Sequence, residues 1–132
     1  MNTQPTGDYL LLFRGTDWLQ ALSPAQVQHI TTDWAVWFER LTQEGKCKGG
    51  HPLHDSGKLV SGKQGRVVTD GPFAESKEAI GGFFHLHVAD ENEAITIAQQ
   101  CPGLNYGCVV EVRPVAERCT ERARALEAAA AG

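Results

Sequence analysis

The stretch Ser23-Pro24-Ala25-Gln26 constrains the fold more than any other in the chain. The serine supplies an N-cap, the proline suits the first helical position, and the glutamine three residues after the serine completes a capping box. Val27, Ile30, Trp34, Trp37, Phe38 and Leu41 then fall on one stripe at helical spacing, and Gly45 stands where a left-handed C-terminal cap belongs. A helix is therefore expected from about Pro24 to Glu44. Its single apolar stripe requires a sheet or a second helix to cover it.

The segments around this helix read as strands. Asp8 to Arg14 holds five consecutive apolar or aromatic residues between Gly7 and Gly15, the pattern of a strand buried on both faces. From Lys46 to Thr69 five glycines interrupt short β-prone pieces at Leu59-Val60 and Val67-Val68, which predicts a strand, a loop and a hairpin. Over Gly82 to Val88, Phe84, Leu86 and Val88 alternate with Phe83, His85 and His87, as a strand requires. Asp90 with Glu93 opens a second, shorter helix bearing Ala94, Ile97, Ala98 and Cys101, which Pro102-Gly103 ends. Cys108 to Val112 closes the set as a strand whose ladder stops at Pro114. Residues 1–115 form the expected domain, and 116–132, rich in alanine and charge, a frayed or helical tail.

The order strand, helix, strands, helix, strand defines an α+β, ferredoxin-like plan in which two helices cover one face of the sheet. The other face keeps enough apolar residues to require cover. A homodimer packing sheet against sheet, a dimeric α+β barrel, would supply it. At 132 residues, 42% of them apolar and 21% charged, one core suffices without metal or disulfide staples.

Composition also excludes functions. With 12 basic and 16 acidic side chains and no long Lys/Arg run, direct nucleic-acid binding is not expected. The longest apolar run, Tyr9 to Phe13, is far short of the roughly 20 residues of a membrane helix, so no membrane partner and a cytoplasmic location are expected. Cys47, Cys101, Cys108 and Cys119 form no C-x-x-C pair, and His85-x-His87 with Glu91 four residues after His87 lacks the glycines and strand placement of a metal motif. Neither a metal nor a cofactor is expected.

Asp70-Gly71-Pro72-Phe73-Ala74-Glu75-Ser76-Lys77-Glu78, followed by Gly81-Gly82-Phe83-Phe84 and Glu111-Val112-Arg113-Pro114, resembles the signature of the DGPF branch of the YCII-related family. Leu22-Ser23-Pro24, Trp34 to Gly45, Gly50 to Leu53, Asp90 to Ala98 and Cys101-Pro102 extend the resemblance over roughly residues 8 to 115. It implies a dimerising ferredoxin-like fold of unsettled function, and an association with alternative sigma factors that suggests an accessory or ligand-sensing module. In the YCII branch proper, a His in the first helix and an Asp beyond the second strand are thought to act as an acid–base dyad. Aligned at Gly45, this chain has Trp34 where that His would stand, so the dyad does not carry over, and Asp55 is left as a loop carboxylate without its imidazole.

The candidate catalytic pair is Asp70 and His51. Asp70-Gly71-Pro72 is explained either as a turn in which the carboxylate accepts backbone N–H groups, or as a site where crowding by Glu75, Lys77 and Glu78 retunes a general acid or base. His51 and His54, flanking Pro52-Leu53, are either exposed loop histidines or a proton relay. Trp34 can floor a ligand pocket or be plain core. Glu111 and Arg113, two apart on a strand, can hold an acidic ligand or pair across strands. Trp34, His54, Glu75, Lys77, Glu111 and Arg113 are thus the candidate ligand-binding residues. Two functions follow: cofactor-independent proton transfer, of isomerase or lyase type, on a small organic acid or phenol, or a non-catalytic ligand-binding module.

Overall fold

The computed structural model describes residues 7–15, 17–54, 56–71, 79–116 and 120–131. A four-stranded antiparallel sheet carries β1 (Gly7–Arg14), β2 (Cys47–Pro52), β5 (Ile80–Val88) and β6 (Val109–Pro114) in the order β2-β5-β1-β6. Two further strands, β3 (Lys58–Ser61) and β4 (Val67–Asp70), pair only with each other as a separate hairpin. The helices are α1 (Pro24–Gln43), α2 (Glu91–Ala98) and α3 (Thr120–Ala131). This is the ferredoxin-like α+β plan, and the sheet does not close into a barrel within the chain.

Helix α1 begins as its capping sequence requires. Ser23 Oγ accepts the Gln26 N–H at 3.2 Å, and Gln26 Oε1 accepts the Ser23 N–H at 2.9 Å, so two orphan donors of the first turn are satisfied reciprocally. Ile30, Trp37 and Leu41 of the expected stripe are buried, while Trp34 and Phe38 are half-buried at its flank. The distinction matters, because those two flanking rings border a cavity rather than filling the core. Helix α2 is capped by Asp90, whose carboxylate accepts the Glu93 N–H, while the Glu93 side chain reaches back to the Ala89 N–H at 2.8 Å.

The core lies between the helices and one sheet face. Tyr9, Leu11 and Phe13 from β1 meet Phe84, Leu86 and Val88 from β5, beneath Trp37, Leu41, Ala94, Ile97 and Ala98. Leu11, Leu41 and Leu86 are fully enclosed, so truncating one to alanine costs about 2 to 5 kcal/mol. Residues of the other parity form the open face. In that register Asp8 lies opposite His87, Leu10 opposite His85, and Leu12 opposite Phe83. On that face Leu12 is buried while Leu10 and Phe83 are half-buried, so the first strand is less completely enclosed there than on the core face.

Three described segments fold as short 3-10 turns that periodicity does not reveal: Asp17–Ala21 after β1, Lys63–Gly65 between β3 and β4, and Pro102–Tyr106 before β6. A stripe needs at least two turns to declare itself, and none of the three is that long. The hairpin β3–β4 is peripheral, with Leu59, Val60, Val67 and Val68 each about half exposed or more.

Candidate functional site

Between α1, the 3-10 turn Asp17–Ala21 and the facing ends of β2 and β5 lies a cavity of about 780 Å³. Its walls are aromatic: Phe13, Trp18, Trp34, Phe38 and Phe84. Phe13 meets Trp34 edge to face with centroids 4.8 Å apart, Trp18 stacks on Trp34, and Phe38 tilts against Phe84 at 5.0 Å. These contacts use the ring quadrupoles in offset, tilted and edge geometries, so the rings of the wall support one another. Trp18 is further fixed by donating its indole N–H to the Gly15 carbonyl at 3.1 Å.

Glycine makes the floor. At Gly50 a Cβ would collide with the Phe83 carbonyl and sit 2.8 Å from the Phe84 ring, and at Gly82 it would lie 3.0 Å from the His51 carbonyl. Any side chain at either position would force β2 and β5 apart. The Leu53 N–H closes this corner by donating to the Gly81 carbonyl at 2.9 Å. Polar character at the rim comes from His51, His54, Thr31 and Gln20. Among the described lining residues there is no Asp or Glu.

The candidate residues are distributed over three places. Trp34, His51 and His54 border the cavity. The His51 ring packs on Phe83 at 5.9 Å, its ladder partner on the open face, so His51 stands at the sheet edge between the cavity and that face. Asp70 ends β4 on the exposed hairpin, where it pairs with Lys58 directly across the ladder, and it is not among the residues lining the cavity. Glu111 and Arg113 lie on the open face of β6. Arg14 donates to Glu111 at 2.6 Å from the neighbouring strand, and Arg113 donates to Glu111 at 2.7 Å within the strand. The two guanidinium groups, Arg113 first, hold the Glu111 carboxyl below its ordinary range. Glu75, Lys77 and Asp55 lie outside the described residues, as does Cys119.

Two features were not anticipated. Trp18 contributes a cavity wall from the 3-10 turn, whose only sequence trace is an indole three residues beyond a strand-ending glycine. The second is Asp8, whose carboxylate lies 2.7 Å from His87 Nδ1 and 3.0 Å from His85 Nε2. The His-x-His spacing directed attention forward to Glu91, whereas the acid that meets the imidazoles lies 77 residues before His85 and becomes visible only through the β1–β5 register.

The thiols among the described residues are enclosed. Cys47, Cys101 and Cys108 are free and buried, and burial raises the Cys47 thiol above its ordinary range. Among the described residues, no group of three or more His, Cys, Asp or Glu side chains is arranged to hold a metal ion. No helix there is long and apolar enough to cross a membrane.

A ferredoxin-like sheet with a glycine-floored aromatic cavity under its first helix defines a small α+β domain. The model of the YCII-related domain matches residues 16–118, and the chain belongs to that family. No curated protein matches it.

Proposed function

We propose that the protein binds a small, largely aromatic molecule carrying one polar group in the cavity beneath α1. The observation that carries this reading is the cavity itself: about 780 Å³, walled by five aromatic rings, with imidazoles only at its rim. That size and that ratio of apolar to polar lining suit a single-ring organic acid or phenol, with His54 and His51 meeting its polar end. The lack of a carboxylate among the described lining residues favours binding or sensing in this cavity over acid–base turnover there. Among the described lining residues, an isomerase- or lyase-type step would draw its proton acceptor from the rim histidines.

We propose, with it, that two copies associate through the open sheet face. The support is physical: among the described residues no helix covers that face, and half-buried Leu10 and Phe83 lie on it between charged borders.

Thermal unfolding in the presence of phenol, benzoate and hydroxybenzoates tests the cavity. A compound at about ten times its Kd should stabilise the protein on the order of 1 kcal/mol, a rise of roughly 3 to 5 °C in Tm. Thr31 lines the cavity from an exposed position on α1, so Thr31→Phe should fill the space without disturbing the core. Loss of the shift in that variant supports the reading. An equal shift in both proteins, or none in either, contradicts it.

A further inference from the structure

Cys101 and Cys108 bracket the 3-10 turn Pro102–Tyr106, behind the tryptophan wall of the cavity. Both are free thiols of the core, each 4% exposed. Backbone hydrogen bonds fold the turn back on itself: the Cys101 carbonyl accepts the Leu104 N–H at 3.2 Å, and the Cys108 N–H donates to the Gly103 carbonyl at 3.1 Å. The two thiols are thereby brought within hydrogen-bonding reach of each other. Gly103 stands between Cys108 and the wall, since a Cβ there would lie 3.0 Å from Cys108 Cβ, 2.9 Å from the Trp18 ring and 3.0 Å from the Trp34 ring. A movement of Cys108 is therefore passed to both indoles.

We propose that Cys101 and Cys108 form a reversible oxidative modification site, at which hydrogen peroxide closes a disulfide across the turn and so displaces the Trp18–Trp34 wall. A disulfide sets its sulfurs about 2.05 Å apart, so two thiols in hydrogen-bond contact have only to draw together by roughly 1 to 2 Å. No helix or strand has to break, because the loop that closes contains only the turn. Leu104, Asn105 and Tyr106 on that turn are exposed, so one short surface segment separates the thiols from solvent, and peroxide is little larger than water. The two sulfurs are not equivalent. The Cys108 S–H donates to Cys101 and, with the Gly103 and Leu104 amides, holds the Cys101 thiol below its ordinary range against the effect of burial, while the same contact and burial push Cys108 up. Cys101 is accordingly the thiol that attacks first.

The steps balance. Cys101 thiolate attacks one peroxide oxygen, an S–O bond forms, the O–O bond breaks, and the hydroxide released takes up the thiol's proton as water. Cys108 then attacks the sulfenic sulfur, an S–S bond forms, the S–O bond breaks, and a second water leaves with the Cys108 proton. Two thiols lose two electrons, and one peroxide is reduced to two waters.

The wild-type chain permits a direct test. Trypsin releases Glu78–Arg118 as one peptide that holds Cys101 and Cys108 and neither of the other cysteines. After exposure of the folded protein to micromolar peroxide and alkylation in denaturant, this peptide should carry no alkyl group and weigh two hydrogens less than its unmodified thiol form. Dithiothreitol before alkylation should restore two alkyl groups. In Cys108→Ala the reaction should stop at a Cys101 sulfenic acid that dimedone traps, whereas Cys101→Ala should leave Cys108 unoxidised. In unliganded wild type, the Trp18 and Trp34 indole resonances should shift on oxidation and return on reduction, a readout that does not depend on what the cavity binds. Two alkyl groups on the peptide after peroxide, dimedone trapping at Cys108 instead of Cys101, or a disulfide that leaves both indoles unmoved would each overturn the proposal.

Discussion

Trp18 and Trp34 stack with their ring planes 14° apart and their centroids 6.4 Å apart, joining the turn after β1 to the middle of α1. The pair forms one wall of the cavity and has Gly103 immediately behind it. A Cβ on Gly103 would lie 2.9 Å from Trp18 Cη2 and 3.0 Å from both Trp34 Cζ3 and Cys108 Cβ. The position of this wall is thus set by the absence of one side chain in the turn that precedes β6.

Gly103→Ala should therefore act on the cavity from outside it. With three neighbours inside normal contact distance, the tryptophans must shift toward the cavity. Overpacking of this kind costs about 1 to 3 kcal/mol. Urea denaturation should show that loss, and the thermal shift produced by a cavity ligand should shrink in parallel. Unchanged stability would mean that the wall yields freely.

Asp70→Asn separates a surface pair from a functional group. Its carboxylate and the Lys58 ammonium are both largely exposed on the peripheral hairpin, and an exposed ion pair contributes from nothing to about 1 kcal/mol. The variant should melt within about 0.5 kcal/mol of wild type and bind cavity ligands unchanged. A large loss of ligand response would return Asp70 to the site.

Acid should weaken the fold through three carboxylates. Asp8 is held down to about 2 by His87 and His85, Glu93 is lowered by the Ala89 N–H and Lys46, and Glu111 by Arg113 and Arg14. A depressed folded-state pKa gives stability that is fully present above the unfolded value, about 4, and is lost as pH falls through the folded one. Stability should thus decline between about pH 4 and pH 2. His87→Gln removes the largest influence on Asp8, so the deficit of that variant should be greatest above pH 4 and shrink toward pH 2. Denaturant midpoints measured across this range would check it, and a deficit independent of pH would contradict the linkage.

Much of the fold was legible because its signals are local. The capping boxes at Ser23 and Asp90 and the alternation from Phe84 to Val88 lie within single elements, and each element formed as its pattern required. The site was less legible because its contacts are long-range. Asp8 joins His85 and His87 only through strand register, and Trp18 reaches Trp34 only because a five-residue 3-10 turn redirects the chain. The Asp-Gly-Pro turn drew attention to Asp70 by composition. Register then assigned its side chain to Lys58, since the ladder sets those two residues opposite each other.

The open face predicts association. Light scattering at micromolar concentration should return twice the chain mass, and replacing half-buried Phe83 and Leu10 with charged residues should shift the protein toward monomer. A monodisperse monomer of the wild-type chain would contradict the proposed packing.

The central claim is that the aromatic cavity is the binding site, and the three indole N–H signals report on it separately. Trp18 and Trp34 line the cavity, whereas Trp37 is buried in the core with its N–H donated to Gln100 at 3.2 Å. In a titration of nitrogen-15-labelled protein with phenol and hydroxybenzoates, the Trp18 and Trp34 indole resonances should move together along one saturating curve while Trp37 stays in place. Three unmoved indoles at millimolar ligand, or Trp37 moving as far as the other two, would contradict it.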